Sequence, residues 1–242
     1  MGLDQIFRFP PEWIPQPFAW QNYPDALTTI PFLTYLGNTL FIVGLTVVGT
    51  VITATLAAFA FSRLRWRGRD LVFNVLLATL MLPYAITLIP TFLLWSRLGL
   101  VGTPWPLIVP RWCGGGVFYI FLLRQFFRTI PRELDEAAIL DGANPMQVLW
   151  HVIVPLSRPA LITVAIFSAL GAWNDFLGPL LYLNDSRQFT LALGLAEFTG
   201  LYSSQWHLLM AASTVVIIPV ILLFVFAQRY FIQGIALTGG KG

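Results

Sequence analysis

Five long stretches of apolar residues, separated by short polar segments, dominate the pattern of this chain. Each stretch holds roughly 20 or more residues, which is the length that an α-helix needs to cross the hydrocarbon core of a membrane. The residues are continuously apolar, whereas strands of a membrane β-barrel alternate over about ten residues. The pattern therefore predicts five spanning helices, at Asn38–Phe61, Leu71–Trp95, Leu107–Phe127, Ala160–Leu183 and Leu208–Tyr230.

The composition agrees with a membrane protein. Hydrophobic residues make up 57% of the 242 residues and charged residues only 10%, with a mean hydropathy of +0.75. Soluble domains are typically about 45–50% apolar and about 25% charged, which rules out disorder and argues against an ordinary soluble enzyme. The single cysteine, Cys113, rules out an internal disulfide, and two distant histidines give no support to a metal site. We expect an all-α, polytopic helix bundle.

The basic residues are distributed unevenly between the two sides that these spans define. Cytoplasmic segments of membrane proteins carry the excess of Arg and Lys. Ten basic residues fall on one side: Arg63, Arg65, Arg67, Arg69, Arg124, Arg128, Arg132, Arg158, Arg229 and Lys241. Four fall on the other: Arg8, Arg97, Arg111 and Arg187. The bias predicts an outside N-terminus and a cytoplasmic C-terminus, with Arg111 as an anchor at the outer edge of its span.

The chain then divides into three parts. Residues 1–37, rich in proline and aromatic residues, are predicted to be an irregular extracytoplasmic segment at the membrane surface. Residues 38–230 form the transmembrane domain, and residues 231–242 form a cytoplasmic tail. Since no signal peptide explains how the N-terminus reaches the outside, we expect an earlier first span to be missing from this sequence.

Several predicted spans contain residues that break helices. They are Pro83 and Pro90, Gly114 to Gly116, Gly171, Gly178 and Pro179, and Pro219. Proline kinks a helix and glycine permits close helix contacts. These residues serve either packing and bending in a bundle or a pathway lined by broken helices, where irregular backbone is tolerated.

The cytoplasmic loop at residues 128–158 carries the strongest local signals. Pro131 and three following acids predict a short helix, which Gly142 ends. Asn144 and Pro145 predict the cap and first turn of a second helix. Pro155 is predicted to end that helix, whose apolar face comprises Met146, Leu149, Val152 and Ile153. This helix–turn–helix either packs under its own bundle or docks a cytoplasmic partner.

The loop also resembles a known motif. The string EAAILDGA followed by Ile153-Val154-Pro155 resembles the EAA loop of ABC-importer permease subunits. The matching residues are Glu136, Ala137, Ala138, Asp141, Gly142 and Pro155. LPYAITLIP at 82–90, AWNDFLGPL at 172–180 and the Gly-rich ending are similar to the carbohydrate-uptake class, including maltose-system G-type permeases. Such permeases usually have six spans, in agreement with a missing first span.

The resemblance implies a fold, a function and partners. The fold is the type I ABC-importer permease bundle in a bacterial or archaeal inner membrane, and the function is to form half of the translocation path for a sugar or oligosaccharide. The chain is expected to be no enzyme and to bind no cofactor or metal, since it lacks the phosphate-binding loop G-x-x-x-x-G-K-[ST]. Expected partners are a second permease subunit, two ATPase subunits that bind ATP and Mg²⁺, an extracytoplasmic solute-binding protein and lipid, but no nucleic acid.

Within the resemblance, the EAA loop transmits movement of the ATPase. Glu136 is expected to be a charged docking contact, while Ala137, Ala138 and Gly142 allow close approach and a sharp turn. Asp175 is the only acid inside a predicted span, and an acid in a membrane is costly and therefore a functional candidate. Together with Trp173 and Asn174 it either faces the translocation path or holds helices together by hydrogen bonds.

Other functions stay open on the sequence alone. The same architecture can import glycerol phosphate esters, polyamines or amino acids. A stand-alone secondary transporter or channel predicts several charges inside the membrane or an internal inverted repeat. A membrane-anchored scaffold needs no coupling loop.

Overall fold

The computed structural model describes residue 9, residues 18–200 and residues 204–238, and these residues form helices and no named strand. Two short 3₁₀ turns lie at Ser186–Gln188 and Leu195–Phe198. The helices are α1 (Asn22–Thr29), α2 (Phe32–Ser62), α3 (Arg69–Thr79), α4 (Tyr84–Arg97), α5 (Trp105–Trp112), α6 (Val117–Thr129), α7 (Glu133–Leu140), α8 (Pro145–Leu156), α9 (Arg158–Trp173), α10 (Leu177–Tyr182), α11 (Leu191–Gly194) and α12 (Trp206–Thr238).

The long helix α2 lies at the centre of the bundle and contacts α5, α6 and α9. Its 31 residues correspond to about 46 Å of helix. Thr39, Thr46 and Thr50 are almost fully buried along it, and Ser168 of α9 donates a hydrogen bond to Thr50 Oγ1 at 3.2 Å. Small polar residues of this kind let membrane helices approach closely.

The N-terminal segment is more regular than predicted in the part that the structure describes. Residues Asn22–Thr29 form α1, and α2 already begins at Phe32. Ala26 and Ile30 are buried, which explains why this stretch is ordered against the bundle. The prediction of an irregular segment up to residue 37 is wrong for these residues, while Pro10, Pro11, Pro15 and Pro17 lie outside the described residues.

The predicted second span, Leu71–Trp95, is broken into α3 and α4. The two helix axes differ by 98° across a break of at most four residues. Pro83 ends the break; it cannot donate a backbone hydrogen bond and it disfavours helix at the preceding residue. Pro90, by contrast, lies inside α4. The prediction of one continuous helix over this stretch is therefore wrong.

The glycines of the third span allow a close approach to α2. Gly115 and Gly116 have φ values of +62° and +91° and separate α5 from α6. A Cβ atom on Gly115 would lie only 2.7 Å from the backbone nitrogen of Ala54. Thr53 Oγ1 donates to the carbonyl of Arg111 at 3.0 Å across the same contact. The break is therefore a packing site between two spans.

The fourth and fifth spans differ from their predicted bounds. Helix α9 ends at Trp173, where the side chain of Asn174 donates to the carbonyl of Leu170 at 2.8 Å and so competes with continued helix. The predicted span continues to Leu183 and is too long. Helix α12 continues through Thr238, so the predicted tail is helical as far as residue 238, and residues 239–242 lie outside the described residues.

Buried apolar side chains form two cores at opposite ends of α2. We call the first the inner core; it includes Phe61, Leu123, Phe127, Leu149 and Ile153. We call the second the outer core; it includes Ala26, Tyr35, Trp173, Leu191 and Leu208. The loop between α6 and α9 packs on the inner core, while α1, α11 and the start of α12 pack on the outer core.

Length and composition give the described helices a membrane-spanning character. Three helices are long and apolar enough to cross a membrane, and the number rises to five if each of two bent pairs is one span. Large apolar side chains remain exposed along α12, including Ile217, Ile221 and Phe224. Such surface is unusual for a soluble protein and suits contact with lipid.

Candidate functional site

The predicted helix–turn–helix loop is present as α7 and α8. Gly142 has a φ of +87°, and its backbone nitrogen donates to the carbonyl of Ile139 at 3.0 Å, so it ends α7 as predicted. Asn144 caps α8: its side chain accepts from the nitrogen of Gln147 at 2.9 Å, and the Gln147 side chain accepts from the nitrogen of Asn144 at 2.8 Å.

The end of α8 differs from the prediction for Pro155. The helix widens into a π-turn at Leu149–Ile153, and Val154 donates its N–H to the carbonyl of Leu149. Helix α8 then ends at Leu156, one residue beyond Pro155, with a bend of 81° to α9. Pro155 thus lies in the last turn of α8 instead of stopping it.

The predicted coupling residues lie mostly on the solvent-exposed face of the loop. Glu136, Ala137, Asp141, Gly142 and Pro155 are exposed, and Ala138 is half-buried against the inner core. A Cβ atom on Gly142 would meet nothing within 4 Å. Next to these residues, a groove of about 260 Å³ is lined by Ala138, Asp141, Gly142, Ala143, Gln147, His151 and Val152.

The same loop exposes a set of large apolar side chains. Leu140 at 88% is among the most exposed large apolar residues of the described chain. The others on the loop are Leu134, Ile139, Met146, Trp150 and Leu156. Of the predicted apolar face of α8, Met146 is thus exposed, while Leu149 and Ile153 are buried together with Val148.

Two different contacts hold the loop to the bundle. Helix α8 is held by its three buried apolar residues, whereas α7 has no buried residue. Instead, Asp135 of α7 forms an ion pair with Arg63 at 3.0 Å, and both side chains are largely buried. Burial raises the pKa of Asp135, and the nearby charge of Arg63 opposes this only in part. On the sequence, Arg63 indicates only the orientation of the chain.

Arginines gather at the loop end of the molecule. Arg124 places its guanidinium 4.0 Å from the centre of the Phe73 ring and donates to the carbonyl of Phe61 at 3.2 Å. A cavity of about 410 Å³ beside it is lined in part by Arg69, Arg124, Arg128 and Arg132. This clustering matches the predicted basic side, although which side of the membrane it occupies stays a prediction.

The predicted group of Trp173, Asn174 and Asp175 is divided by the structure. Trp173 is buried in the outer core, where its ring packs among apolar side chains of other helices. Asn174 is exposed. Asp175 lies between α9 and α10, not inside a spanning helix, and its Oδ1 accepts from the nitrogen of Gly178 at 3.0 Å. The described contacts of Asp175 therefore resemble those of a helix cap.

Arg111 lies beside the long helix α2. Its carbonyl accepts from Thr53, which is roughly two-thirds of the way along α2 from the outer core. The side chain is exposed, and no ion pair among the described residues includes it. The break at Gly115 and Gly116 sets Arg111 beside α2, and its role as an outer-edge anchor stays a prediction.

Comparison with known proteins identifies the family. The family model described as "Binding-protein-dependent transport system inner membrane component" matches residues 49–237. The chain belongs to this family of transport permeases. The match includes the α7–α8 loop and the spans on either side of it, so the permease fold and a multi-pass position in the membrane follow from it.

Individual relatives agree with the family. The permease is 34% identical to the arabinooligosaccharides transport system permease protein AraQ of Halalkalibacterium halodurans over 87% of this chain and 75% of the relative. It is 33% identical to the trehalose/maltose transport system permease protein MalG of Thermococcus litoralis over 92% of this chain and 81% of the relative.

A solved structure shows the same architecture. A chain from the crystal structure of a bacterial ABC transporter involved in the import of the acidic polysaccharide alginate matches with a TM-score of 0.78 and 28% identity, covering 88% of this chain and 80% of that chain. The predicted ABC-importer permease of the carbohydrate-uptake class, with its type I helical bundle, is confirmed. Among the described residues, no group of three or more His, Cys, Asp or Glu side chains is placed to hold a metal ion.

Proposed function

We propose that this permease forms one half of the path for a sugar or oligosaccharide and that a separate ATPase drives it by docking on the α7–α8 loop. The second half is a second permease subunit, and a solute-binding protein delivers the solute at the outer-core end. Residues 38–230 then form the permease domain, and residues 128–158 form its coupling loop on the cytoplasmic side.

The exposed surface of the loop carries the proposal. Leu140, Ile139 and Met146 are all more than half exposed, and on a cytoplasmic loop, as proposed, they face water instead of lipid. Apolar residues at the centre of an interface typically supply much of its affinity. Glu136 and Asp141 lie beside them and add charges for recognition. The surface therefore suits a protein partner with an apolar groove and basic rim.

The small residues Ala137 and Gly142 also suit a docked partner. Both positions are exposed, and neither bears a side chain beyond Cβ. A docked surface can therefore approach the backbone of α7 closely. No ion pair among the described residues includes the side chain of the neighbouring acid, Glu136.

ATP and Mg²⁺ belong to the partner in this proposal. The chain has no phosphate-binding loop of the G-x-x-x-x-G-K-[ST] type. Nucleotide hydrolysis on the ATPase supplies the energy, and the residues of this chain receive the movement. We expect α7 and α8 to move as a rigid body when the ATPase moves. The π-turn and the 81° bend then pass this movement directly to α9.

The sugar class rests on the relatives. The names of the two relatives above refer to transport of arabino-oligosaccharides and of trehalose and maltose, and the solved structure is of an importer of alginate. All of these solutes are saccharides, and alginate is an acidic one. We therefore propose a saccharide as solute and leave its charge to the uptake experiment.

The test is reconstitution of the full transporter. The permease is co-expressed with the second permease and ATPase from the same gene neighbourhood, and purified through a tag on this chain. Co-purification of the ATPase and ATP-driven uptake of radiolabelled maltose, an arabino-oligosaccharide or an alginate oligosaccharide into proteoliposomes are the expected results. A chain that assembles with no ATPase and transports its solute down an ion gradient would overturn the proposal.

A further inference from the structure

The two helices of the coupling loop are attached to the bundle in different ways. Helix α8 buries Val148, Leu149 and Ile153 in the inner core, each 3% exposed or less. Helix α7 buries none of its residues, and Ala138 is its half-buried apolar contact. Apolar packing therefore fixes α8 but leaves the position of α7 weakly determined.

A single arginine at the end of α2 supplies the missing attachment. Arg63 Nη1 lies 3.0 Å from Asp135 Oδ2 of α7. Its Nη2 donates to the carbonyl of Phe127 in the last turn of α6 at 2.5 Å, and to the carbonyl of Ile130 just beyond α6 at 2.8 Å. We call this arrangement the Arg63 junction. It joins the ends of two spans to the helix that carries the EAA residues.

The Arg63 junction is expected to add little to the net stability of the fold. The exposed fractions of its two side chains are 5% and 14%, so both charges lose most of their hydration. Arg63 Nε and Asp135 Oδ1 are buried and have no hydrogen-bond partner among the described residues. Buried ion pairs often cost as much in lost hydration as they gain in attraction. A role in fixing relative position accounts for such a pair better than a role in stability.

We propose that Arg63 and Asp135 are positioning residues that make α7 move together with the ends of α2 and α6. This rests on the proposed coupling of the loop to an ATPase. Without the Arg63 junction, movement of α7 reaches the spans through its chain connection to α6 and through the packing of α8 on the inner core. With it, α7 is also tied directly to the ends of α2 and α6.

The first test measures the attachment itself. Hydrogen exchange is followed by mass spectrometry in the purified complex for the wild type and Asp135→Asn. We expect faster exchange of the α7 amides in Asp135→Asn, with exchange in α8 unchanged because its apolar anchors remain. Glu133→Gln is the matched control: Glu133 is an exposed acid of the same helix and should leave α7 unchanged. Unchanged α7 exchange in Asp135→Asn would overturn the proposal.

The second test measures coupling. In proteoliposomes, Asp135→Asn and Arg63→Met should bind the ATPase as well as wild type and still hydrolyse ATP. The solute transported per ATP should fall by about 2- to 30-fold, the range typical of residues along a coupling route. Asp135→Glu and Arg63→Lys, which keep the charges, should recover part of the loss. Arg65→Gln, an exposed arginine two residues away, is the second control.

The outcomes separate this inference from the proposed function. If the wild-type complex lacks ATP-driven uptake of the three saccharide probes, the proposed function fails, while the exchange measurement on α7 still decides the attachment. If wild type couples and Asp135→Asn couples equally well, the proposed function stands and the positioning role is wrong. A purely structural role would instead lower assembly and hydrolysis together, without recovery by the charge-preserving variants.

Discussion

The two ends of α2 meet very different surroundings. At the inner end, the coupling loop presents exposed residues on a short helix that a buried ion pair holds in place. At the outer end, Trp173 and Tyr35 are buried among apolar side chains from α1, α11 and α12. Both regions carry candidate functional residues on the sequence, yet only the inner one exposes its candidates as a group.

The difference shows that a distinctive sequence motif need not form an exposed site. The Trp-Asn-Asp stretch is distinctive in sequence, but its tryptophan contributes to a core and its aspartate caps the start of a short helix. The EAA stretch is distinctive and also solvent-facing. Substitutions at the outer end should therefore act on stability, and substitutions on the loop should act on coupling.

The largest effect is expected at Trp173. Because its side chain is 8% exposed within the outer core, Trp173→Ala should lower the free energy of unfolding by about 3–5 kcal/mol. Thermal melts of the purified permease in detergent measure this. Trp150→Ala is the matched control, since Trp150 is 44% exposed on the loop, and it should change the melting temperature little. A stable Trp173→Ala protein with lost uptake would favour a role in the path instead.

The next largest effect is expected at Gly142. A residue with a Cβ at a left-handed backbone position costs roughly 1–2 kcal/mol, and Gly142 has a φ of +87°. Gly142→Val should therefore misplace α7 against α8 and reduce uptake about tenfold, with the ATPase still bound. Gly142→Asn is the control, because asparagine tolerates this conformation, and it should stay near wild type. Equal uptake by the valine variant and wild type would contradict coupling through this turn.

A moderate effect is expected at Leu140. Its side chain is 88% exposed, so Leu140→Ser should leave folding unchanged while removing apolar contact from a docked ATPase, at a cost of about 1–2 kcal/mol of binding. Pull-down of the ATPase at graded concentrations measures this. Leu98→Ser is the control, at a position 58% exposed beyond the end of α4. If Leu98→Ser weakens ATPase binding as much as Leu140→Ser, the loop is not the specific binding surface.

The smallest effect is expected at Asp175. Its Oδ1 accepts a hydrogen bond from the nitrogen of Gly178, and an asparagine side chain accepts the same bond. Asp175→Asn should therefore keep uptake near wild type, while Asp175→Ala should lose about 0.5–2 kcal/mol of stability. If Asp175→Asn abolishes uptake in a protein of normal stability, the charge itself acts on the solute and the cap is not its main role.

Local signals explain which features the sequence predicts correctly. Gly142, Asn144 and Pro145 define a turn and a cap through contacts within a few residues, and residue types at this spacing are sufficient to recognise them. The burial of Trp173 and the Arg63–Asp135 pair depend on residues far apart in the chain. No periodicity or capping rule contains that information, so neither the packing of Trp173 nor the ion pair has a signal in the sequence.

Helix breaks are only partly predictable for a related reason. Pro83 interrupts a span whereas Pro90 lies within α4, although both occur in the same apolar stretch. Proline in a membrane helix is tolerated where neighbouring groups compensate for its missing hydrogen bond. Whether such compensation exists depends on packing between distant segments.

The claim that the coupling loop docks an ATPase is tested most directly by site-specific photo-crosslinking. A photoreactive amino acid replaces Leu140 on the loop or Ala196, an exposed residue at the outer end, in the assembled transporter. We expect position 140 to crosslink to the ATPase and position 196 to leave it unlabelled. Crosslinks from position 140 confined to this chain or to lipid, in a complex that contains the ATPase, would contradict the account.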